Sequence, residues 1–200
     1  MTDQELIIKY LAGDIQAFNT IVHRWETPIF NFVLQMCGDY ETSKDISQKV
    51  FIRVYKNLKT LKEHKKFKNW LYQIAANLCR DEIRRRSRRQ TLSVESIQEA
   101  YEDGAMLPEN LQSAPGNSPE QHWSHQEMRQ IIEDALQKIP EEQRVVIVMK
   151  EFQGLKFIEI AEILEQSVNT IKSRMYYGLN ALRKLFDQWN IRKEAFEYDV

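Results

Sequence analysis

The 200-residue sequence predicts an all-α protein with a four-helix N-terminal domain, a C-terminal helix-turn-helix domain and a flexible acidic linker between them. Three observations lead there. Apolar residues recur with a period near 3.6 along most of the chain, and no segment alternates with period two for long enough to argue a strand. Near the C-terminus, two short apolar-periodic stretches flank a tight turn, with Ala161 where close helix crossing needs a small side chain. Between the two halves, residues 91–127 hold seven acids and no Lys or Arg, and they collect Gly104, Pro108, Pro115, Gly116 and Pro119. That composition reads as a linker. The expected boundaries are 1–90, 91–123 and 124–190.

The elements follow in order. Thr2 with Glu5 makes a capping box ahead of Leu6, Ile7, Tyr10 and Leu11. Asp14, after Gly13, caps a second helix with Phe18, Ile21, Val22 and Trp25 on one face. Its pattern resumes past Pro28 through Phe32, Val33 and Met36, and Gly38 supplies a stop. A third helix is predicted from about Thr42 to Leu58, with Ile46, Val50, Phe51 and Val54 inward. The fourth, from about Phe67 to Arg85, places Phe67, Trp70, Leu71, Ile74 and Leu78 on one face. Beyond the linker, Met128, Ile131, Ile132, Ala135 and Ile139 mark a further helix. Pro140, Glu141 and Glu142 then suit a helix start, and Val145, Val146, Val148, Met149 and Phe152 continue to Gly154. The helix-turn-helix follows as Phe157 to Leu164 and a second helix capped by Ser167, with Val168, Ile171, Met175, Leu179 and Leu182 along it.

A formal net charge of −1 conceals a segregated pattern. Residues 1–90 carry 17 Lys/Arg against 10 Asp/Glu, and 11 of those cations fall between Lys59 and Arg89, ending in RRRSRR at 84–89. A stripe of one sign is the footprint of a polyanion site. On the polar side of the fourth helix, Asn69, Gln73, Asn77, Arg80 and Arg84 form a line with no carboxylate, and Tyr72 is expected to be exposed beside it. Amides, guanidinium groups and an aromatic ring can read base edges, hold phosphates and stack on an unpaired base. The last helix offers Asn169, Lys172, Ser173, Arg174, Tyr176 and Tyr177, and from Ser167 to Lys184 it carries four cations and no acid. A major-groove reader needs that inventory.

Other classes are excluded by what the sequence lacks. No apolar run approaches the roughly 18 residues of a membrane span, so no direct membrane insertion is expected, and MTDQELIIKY does not read as a secretory signal. Cys37 and Cys79 form neither a disulfide framework nor a zinc cage, so a reducing, cytoplasmic setting is the default. There is no Gly-rich phosphate loop and no HExxH. His122 and His125 stand at i, i+3 without a third ligand. No cofactor, no metal and no enzymatic activity are expected.

Three stretches together carry a family resemblance: DISQKVFIRVY (45–55), FKNWLYQIAANLCRDEIRR (67–85) and IPEEQRVVIVMKEFQGLKFIEIAEILEQSVNTIKSRMYYGLNALRKLF (139–186). They resemble the extracytoplasmic-function sigma factors of the sigma-70 family. The resemblance covers about three quarters of the chain. It implies a dissociable subunit of bacterial RNA polymerase that recognises promoters and helps open DNA. By that resemblance the first domain corresponds to sigma region 2. Within it, Asp45, Gln48, Lys49, Ile52 and Arg53 face the clamp helices of the largest core subunit. Residues 59–85 meet the single-stranded minus-ten element, with Lys65 and Lys66 beside a pocket for a flipped base. Unstacking that base costs a few kcal/mol, which phosphate contacts must offset. The second domain corresponds to sigma region 4. There Asn169, Lys172, Ser173, Arg174, Tyr176 and Tyr177 meet the minus-thirty-five duplex, and the domain docks on the polymerase flap. The linker would thread the polymerase channels, and an anti-sigma factor is implied as a further partner. Relatives often carry Gly where Glu165 and Asn169 stand here. Without the resemblance, a conventional duplex-binding regulator, a nucleic-acid enzyme or a helical adaptor would remain open.

Overall fold

The computed structural model describes the backbone of residues 1–101 and 125–191, and side chains for 1–89 and 127–191. Every regular element among the described residues is helical. The predicted caps are in place. In α1 (Asp3–Leu11) the Glu5 N–H donates to Thr2 Oγ1 (3.3 Å) while the Thr2 N–H donates to Glu5 Oε2 (2.9 Å), completing the capping box. In α2 (Ile15–Cys37) Asp14 Oδ1 accepts from the N–H groups of Gln16 and Ala17. α2 runs unbroken through Pro28. An interior proline costs a helix about 3 kcal/mol, and burial of Ile21, Ile29, Phe32 and Val33 on either side offsets it.

α3 (Tyr40–Asn57) begins two residues before its predicted start, because Asp39 accepts from the Thr42 N–H at 2.7 Å and so caps the helix directly after Gly38. Two 3₁₀ turns, Leu58–Thr60 and His64–Lys66, lead into α4 (Phe67–Tyr101). The α4 backbone continues well past Arg85 into the stretch expected to be linker, so the helix and linker overlap there. Residues 102–124, with Pro108, Pro115, Pro119 and His122, lie outside the described residues, as do those after Ile191.

The second half contains α5 (His125–Lys138), α6 (Glu141–Ile147), a wide helical turn at Val148–Phe152, α7 (Phe157–Leu164) and α8 (Val168–Gln188). Pro140 caps α6 in extended conformation instead of occupying its first turn. The helix-turn-helix is α7, a three-residue turn and α8. Ser167 Oγ accepts from the Thr170 N–H at 3.0 Å and starts α8 as expected. Glu165 takes the turn in left-handed conformation (φ 53°), the geometry a glycine would adopt more readily. α8 crosses α6 at Gly178, where an added Cβ would lie 2.7 Å from Ile147 Cδ1 and 3.1 Å from Gln143 Cβ.

The two helical halves pack against each other. α2 packs against α5, α6 and the wide turn, and α4 packs against α7, so the buried apolar residues of both halves form one continuous cluster. The sequence does not specify how the two helical domains sit against each other, and the structure joins them through this cluster. Sequence periodicity identifies an apolar face but not its partner, and some of the apolar surface on α2 and α4 is covered by the other half of the chain. Among the described residues, no helix is long and apolar enough to cross a membrane.

Replacing Gly178 with valine should overpack the α6–α8 crossing and lower stability by about 1–3 kcal/mol. A urea titration should show the midpoint falling with little change in slope.

Candidate nucleic-acid interface

Two surfaces carry the residues singled out by charge and spacing, and they differ in accessibility. On α8, Asn169, Lys172, Ser173, Tyr176 and Tyr177 all face solvent. Ile171, Met175 and Leu182 anchor the opposite face in the core. The Tyr176 and Tyr177 rings are 64% and 61% exposed, with centroids 5.6 Å apart in a T-shaped arrangement. Arg174 is half-buried, and its Nη2 donates to Glu142 Oε2 at 2.8 Å. That carboxylate holds the guanidinium at the edge of the exposed face, where a base or phosphate would have to draw it away. The helix has no carboxylate in its first turn.

The α4 surface is different. Its line of Asn69, Gln73, Asn77, Arg80 and Arg84 exists as the spacing predicts, but the other half of the chain covers much of it. Asn69 Nδ2 donates to Glu162 Oε2 (3.0 Å), Gln73 Nε2 to Glu165 Oε1 (2.7 Å) and Arg80 Nε to Glu141 Oε1 (3.2 Å). Asn77 is exposed and accepts from Arg80 Nη1. Arg84 is exposed, and with Arg85, Arg88, Arg89 and Asp81 it lines a shallow basin farther along the helix. Within that region Arg85 is bidentate to Glu82, and the hydrogen bonds from Arg85 hold the Glu82 carboxyl below its ordinary pKa. At the other end of the line, Lys65 and Lys66 are exposed on the 3₁₀ turn before α4.

Tyr72 is the clearest correction to the expected site. The ring is 2% exposed, not on the surface, and packs edge-on against Trp25 and Phe32. Its hydroxyl donates to Gln153 Oε1 at 2.8 Å. α4 buries Leu71, Tyr72, Ala75, Ala76, Leu78 and Cys79, a face wider than a lone four-helix domain would require. It is enclosed by α2 on one side and the second half of the chain on the other. Removed from water, the Tyr72 phenol is pushed up to about 12. A ring in this position cannot stack on a base unless the two halves separate.

Sequence reasoning missed the residues that set this seam. Arg144 is 7% exposed and reaches across to donate to the Met36 carbonyl at 2.6 Å. It also donates to the carbonyls of Gln137 and Ile139 and to the Gln137 side chain. Gln137 Nε2 donates to the Gln35 carbonyl at 2.9 Å. Gly38 completes the join: its φ of 68° ends α2, and a Cβ there would lie 2.8 Å from Gln137 Cδ. Two signals were available. Arg144 sits beside the apolar run VVIVM, and Glu159, Glu162 and Glu165 recur every third residue as an acidic line able to face the acid-free line on α4.

The α3 residues Asp45, Gln48, Lys49, Ile52 and Arg53 are all exposed on one side of the helix, with Ile46, Val50 and Val54 buried on the other. Cys37 and Cys79 meet in the core as free thiols. The hydrogen bond between them pulls the Cys37 pKa down and pushes that of Cys79 up, and burial adds to the latter.

Comparison with known proteins is consistent across sequence and structure. A family model described as Sigma-70 region 2 matches residues 21–89, and one described as Sigma-70, region 4 matches residues 129–182. The chain is 36% identical over 172 residues to the ECF RNA polymerase sigma factor SigW of Bacillus subtilis (strain 168), covering 86% of this chain and 90% of that one. It is 31% identical over 184 residues to the ECF RNA polymerase sigma-E factor of Escherichia coli (strain K12), covering 91% and 93%. Among solved structures, the fold is similar to the sigma factor RpoE in complex with the anti-sigma factor NepR from Bartonella quintana. That match has a TM-score of 0.63, 20% identity and coverage of 86% of this chain and 98% of the other. It is also similar to CnrH in complex with the cytosolic domain of CnrY, with a TM-score of 0.65, 20% identity and coverage of 93% and 97%.

The buried Tyr72 hydroxyl yields a pH prediction. Its ordinary pKa is 10.0 and its folded value is about 12, so between these the unfolded chain loses the proton while the folded chain keeps it. The stability linked to this group is whole below pH 10 and declines as pH rises from 10 to 12. Tyr72→Phe should flatten that decline in alkaline denaturation curves. At neutral pH it should lower stability by about 1 kcal/mol through the lost hydrogen bond.

Proposed function

Because the chain belongs to the extracytoplasmic-function sigma factors of the sigma-70 family, which are RNA polymerase sigma factors, we propose how its surfaces divide that work. The exposed side of α3, with Asp45, Gln48, Lys49, Ile52 and Arg53, docks on the clamp helices of the largest core subunit. The line Asn69, Gln73, Asn77, Arg80 and Arg84, with Lys65 and Lys66 at its head, binds the non-template strand of the minus-ten element once DNA opens. The α8 face of Asn169, Lys172, Ser173, Arg174, Tyr176 and Tyr177 meets the minus-thirty-five element as duplex, while the second half docks on the polymerase flap. Residues 1–90 and 124–190 are the two binding modules, and 91–123 contain the connection between them.

The pairing of acid-free polar faces on α4 and α8 carries this reading. The α8 face has the Lys, Arg and hydroxyl groups that contact phosphates and base edges of duplex DNA. The α4 line has amides and guanidinium groups suited to unpaired bases and their backbone. Two modest contacts on one chain gain affinity by raising the effective concentration of the second site, and they impose a spacing between elements. The protein acts in the cytoplasm, where bacterial polymerase and promoter DNA are, and supplies binding energy without catalysis of its own. The solved neighbour RpoE of Bartonella quintana is bound to the anti-sigma factor NepR, and this supports an anti-sigma partner for this chain too.

Run-off transcription with purified bacterial core polymerase tests the function, using genomic fragments that include the region upstream of the gene. Discrete transcripts that require the protein are the expected result. Tight sequence-specific duplex binding by the protein alone, with no such transcripts, would instead mark a conventional regulator. On a promoter found this way, Arg174→Ala should weaken discrimination by about 1–3 kcal/mol if Arg174 reads a base. Equal losses on scrambled DNA would reassign it to a phosphate. Competition binding against both duplexes separates these outcomes.

A further inference from the structure

We infer that Cys37 and Cys79 form an oxidisable dithiol, a modification site at which a small hydroperoxide converts the pair into a disulfide joining the end of α2 to α4. This chemistry is separate from promoter binding and uses none of its residues.

The two thiols are brought together by the fold. Cys37 is the last residue of α2, and Cys79 lies in the buried face of α4. Their sulfurs are within hydrogen-bonding reach, with the Cys79 S–H donating to Cys37. The pair is unequal in access. Cys37 is 7% exposed and Cys79 is wholly enclosed, so a water-sized oxidant meets Cys37 first.

The surroundings are cationic, whereas a thiol that only fills a core needs apolar neighbours. Arg86 Nη1 donates to the Cys37 carbonyl at 3.3 Å. Arg144 bonds the carbonyl of the preceding residue, Met36, and its charge reaches both thiols. The Nε of that guanidinium is buried without a hydrogen-bond partner. Such a group is costly to leave unsatisfied, and a thiolate or sulfenate beside it offers an anionic acceptor. The hydrogen bond from Cys79 holds the Cys37 pKa below that of an ordinary thiol despite burial, and Arg86 and Arg144 favour the thiolate against Glu82. The same hydrogen bond, then burial, pushes Cys79 well up. Cys37 is therefore the attacking sulfur and Cys79 the resolving one.

The Cys37 thiolate attacks one oxygen of hydrogen peroxide and the O–O bond breaks. This leaves a Cys37 sulfenic acid and a hydroxide that recovers the thiol proton as water. The Cys79 sulfur then attacks Cys37 Sγ. The S–S bond forms, the S–O bond breaks, and the departing hydroxide takes the Cys79 proton as a second water. The two sulfurs are oxidised together by one electron pair, and the peroxide is reduced by the same pair. In a reducing compartment a dithiol reductant reopens the bond, so the modification is transient.

The test uses reduced full-length protein, freed of reductant and exposed to a modest excess of hydrogen peroxide while folded, then unfolded and alkylated. Intact mass should show the loss of both alkylation sites and of two hydrogens. Non-reducing digestion should yield a cross-linked Cys37–Cys79 peptide, and dithiothreitol should restore both sites. Cys79→Ala should leave a Cys37 sulfenic acid that dimedone traps, whereas Cys37→Ala should leave Cys79 unmodified. Circular dichroism checks that each variant is folded, and the wild-type measurement decides by itself if one is not.

Two freely alkylated thiols after peroxide would overturn the proposal. So would a disulfide that forms only when the chain is first unfolded in urea, cross-links between separate chains, or over-oxidation of Cys37 with Cys79 still free.

Discussion

A guanidinium cannot leave water without partners, and Arg144 finds one of them, the Met36 carbonyl, across the boundary between the two halves of the chain. Its bonds to the Met36, Gln137 and Ile139 carbonyls tie the end of α2 to the end of α5. A hydrogen bond to a charged group contributes about 1.5–3 kcal/mol, and a buried donor left without one is penalised on a similar scale. Gly38 makes the close approach possible, because it both ends α2 in a left-handed conformation and leaves room for Gln137. Once these ends are joined, the direction of α7 follows, and α7 lies along α4. Burial of Tyr72 and pairing of Asn69 and Gln73 are consequences of that placement.

The two polar helix faces experience this constraint differently. α8 exposes its acid-free face to solvent, with Arg174 held by Glu142. α4 lies in the seam, so its amides and Arg80 meet carboxylates while the arginines beyond Asn77 remain open to solvent. A sigma factor must engage duplex and single strands at different stages of initiation. In this conformation the α8 face proposed to meet duplex is accessible, and three of the five groups on the proposed strand-binding line of α4 are engaged by the second half of the chain. Exposed ion pairs and polar contacts contribute little individually. The energetic weight of the seam therefore rests on the continuous apolar cluster and the buried Arg144 contact, with Glu141, Glu162 and Glu165 adding polar contacts to α4.

Much of the local structure was legible because its causes are local. The Thr2–Glu5 capping box, the Asp14 and Ser167 caps and the span Phe157–Leu164 each depend on a few neighbouring residues. The outward set on α3 was also legible, since Ile46, Val50 and Val54 leave Asp45, Gln48, Lys49, Ile52 and Arg53 on the other side. The continuation of α2 past Pro28 was legible too, because the apolar pattern resumes on its far side, and burial on both flanks offsets the missing hydrogen bond. The site was half legible. Spacing placed Asn69, Gln73, Asn77, Arg80 and Arg84 on one line, but it put Tyr72 at the surface. A ring adjacent to a polar stripe can belong to either side of a helix until its packing partner is known.

Residue order and periodicity by themselves determined the helices, their main caps, the acid-free faces and, through three ordered stretches, the family resemblance. Helical period and capping act over a few residues, and net charge along a segment needs no coordinates. Only the tertiary structure decided that the two halves share one core, that Arg144 crosses between them and that Glu162 and Glu165 occupy the α4 line. Those contacts join residues about a hundred positions apart in the chain. Their geometry depends on how two amphipathic surfaces dock, and a one-dimensional pattern specifies that each surface must be buried without specifying against what.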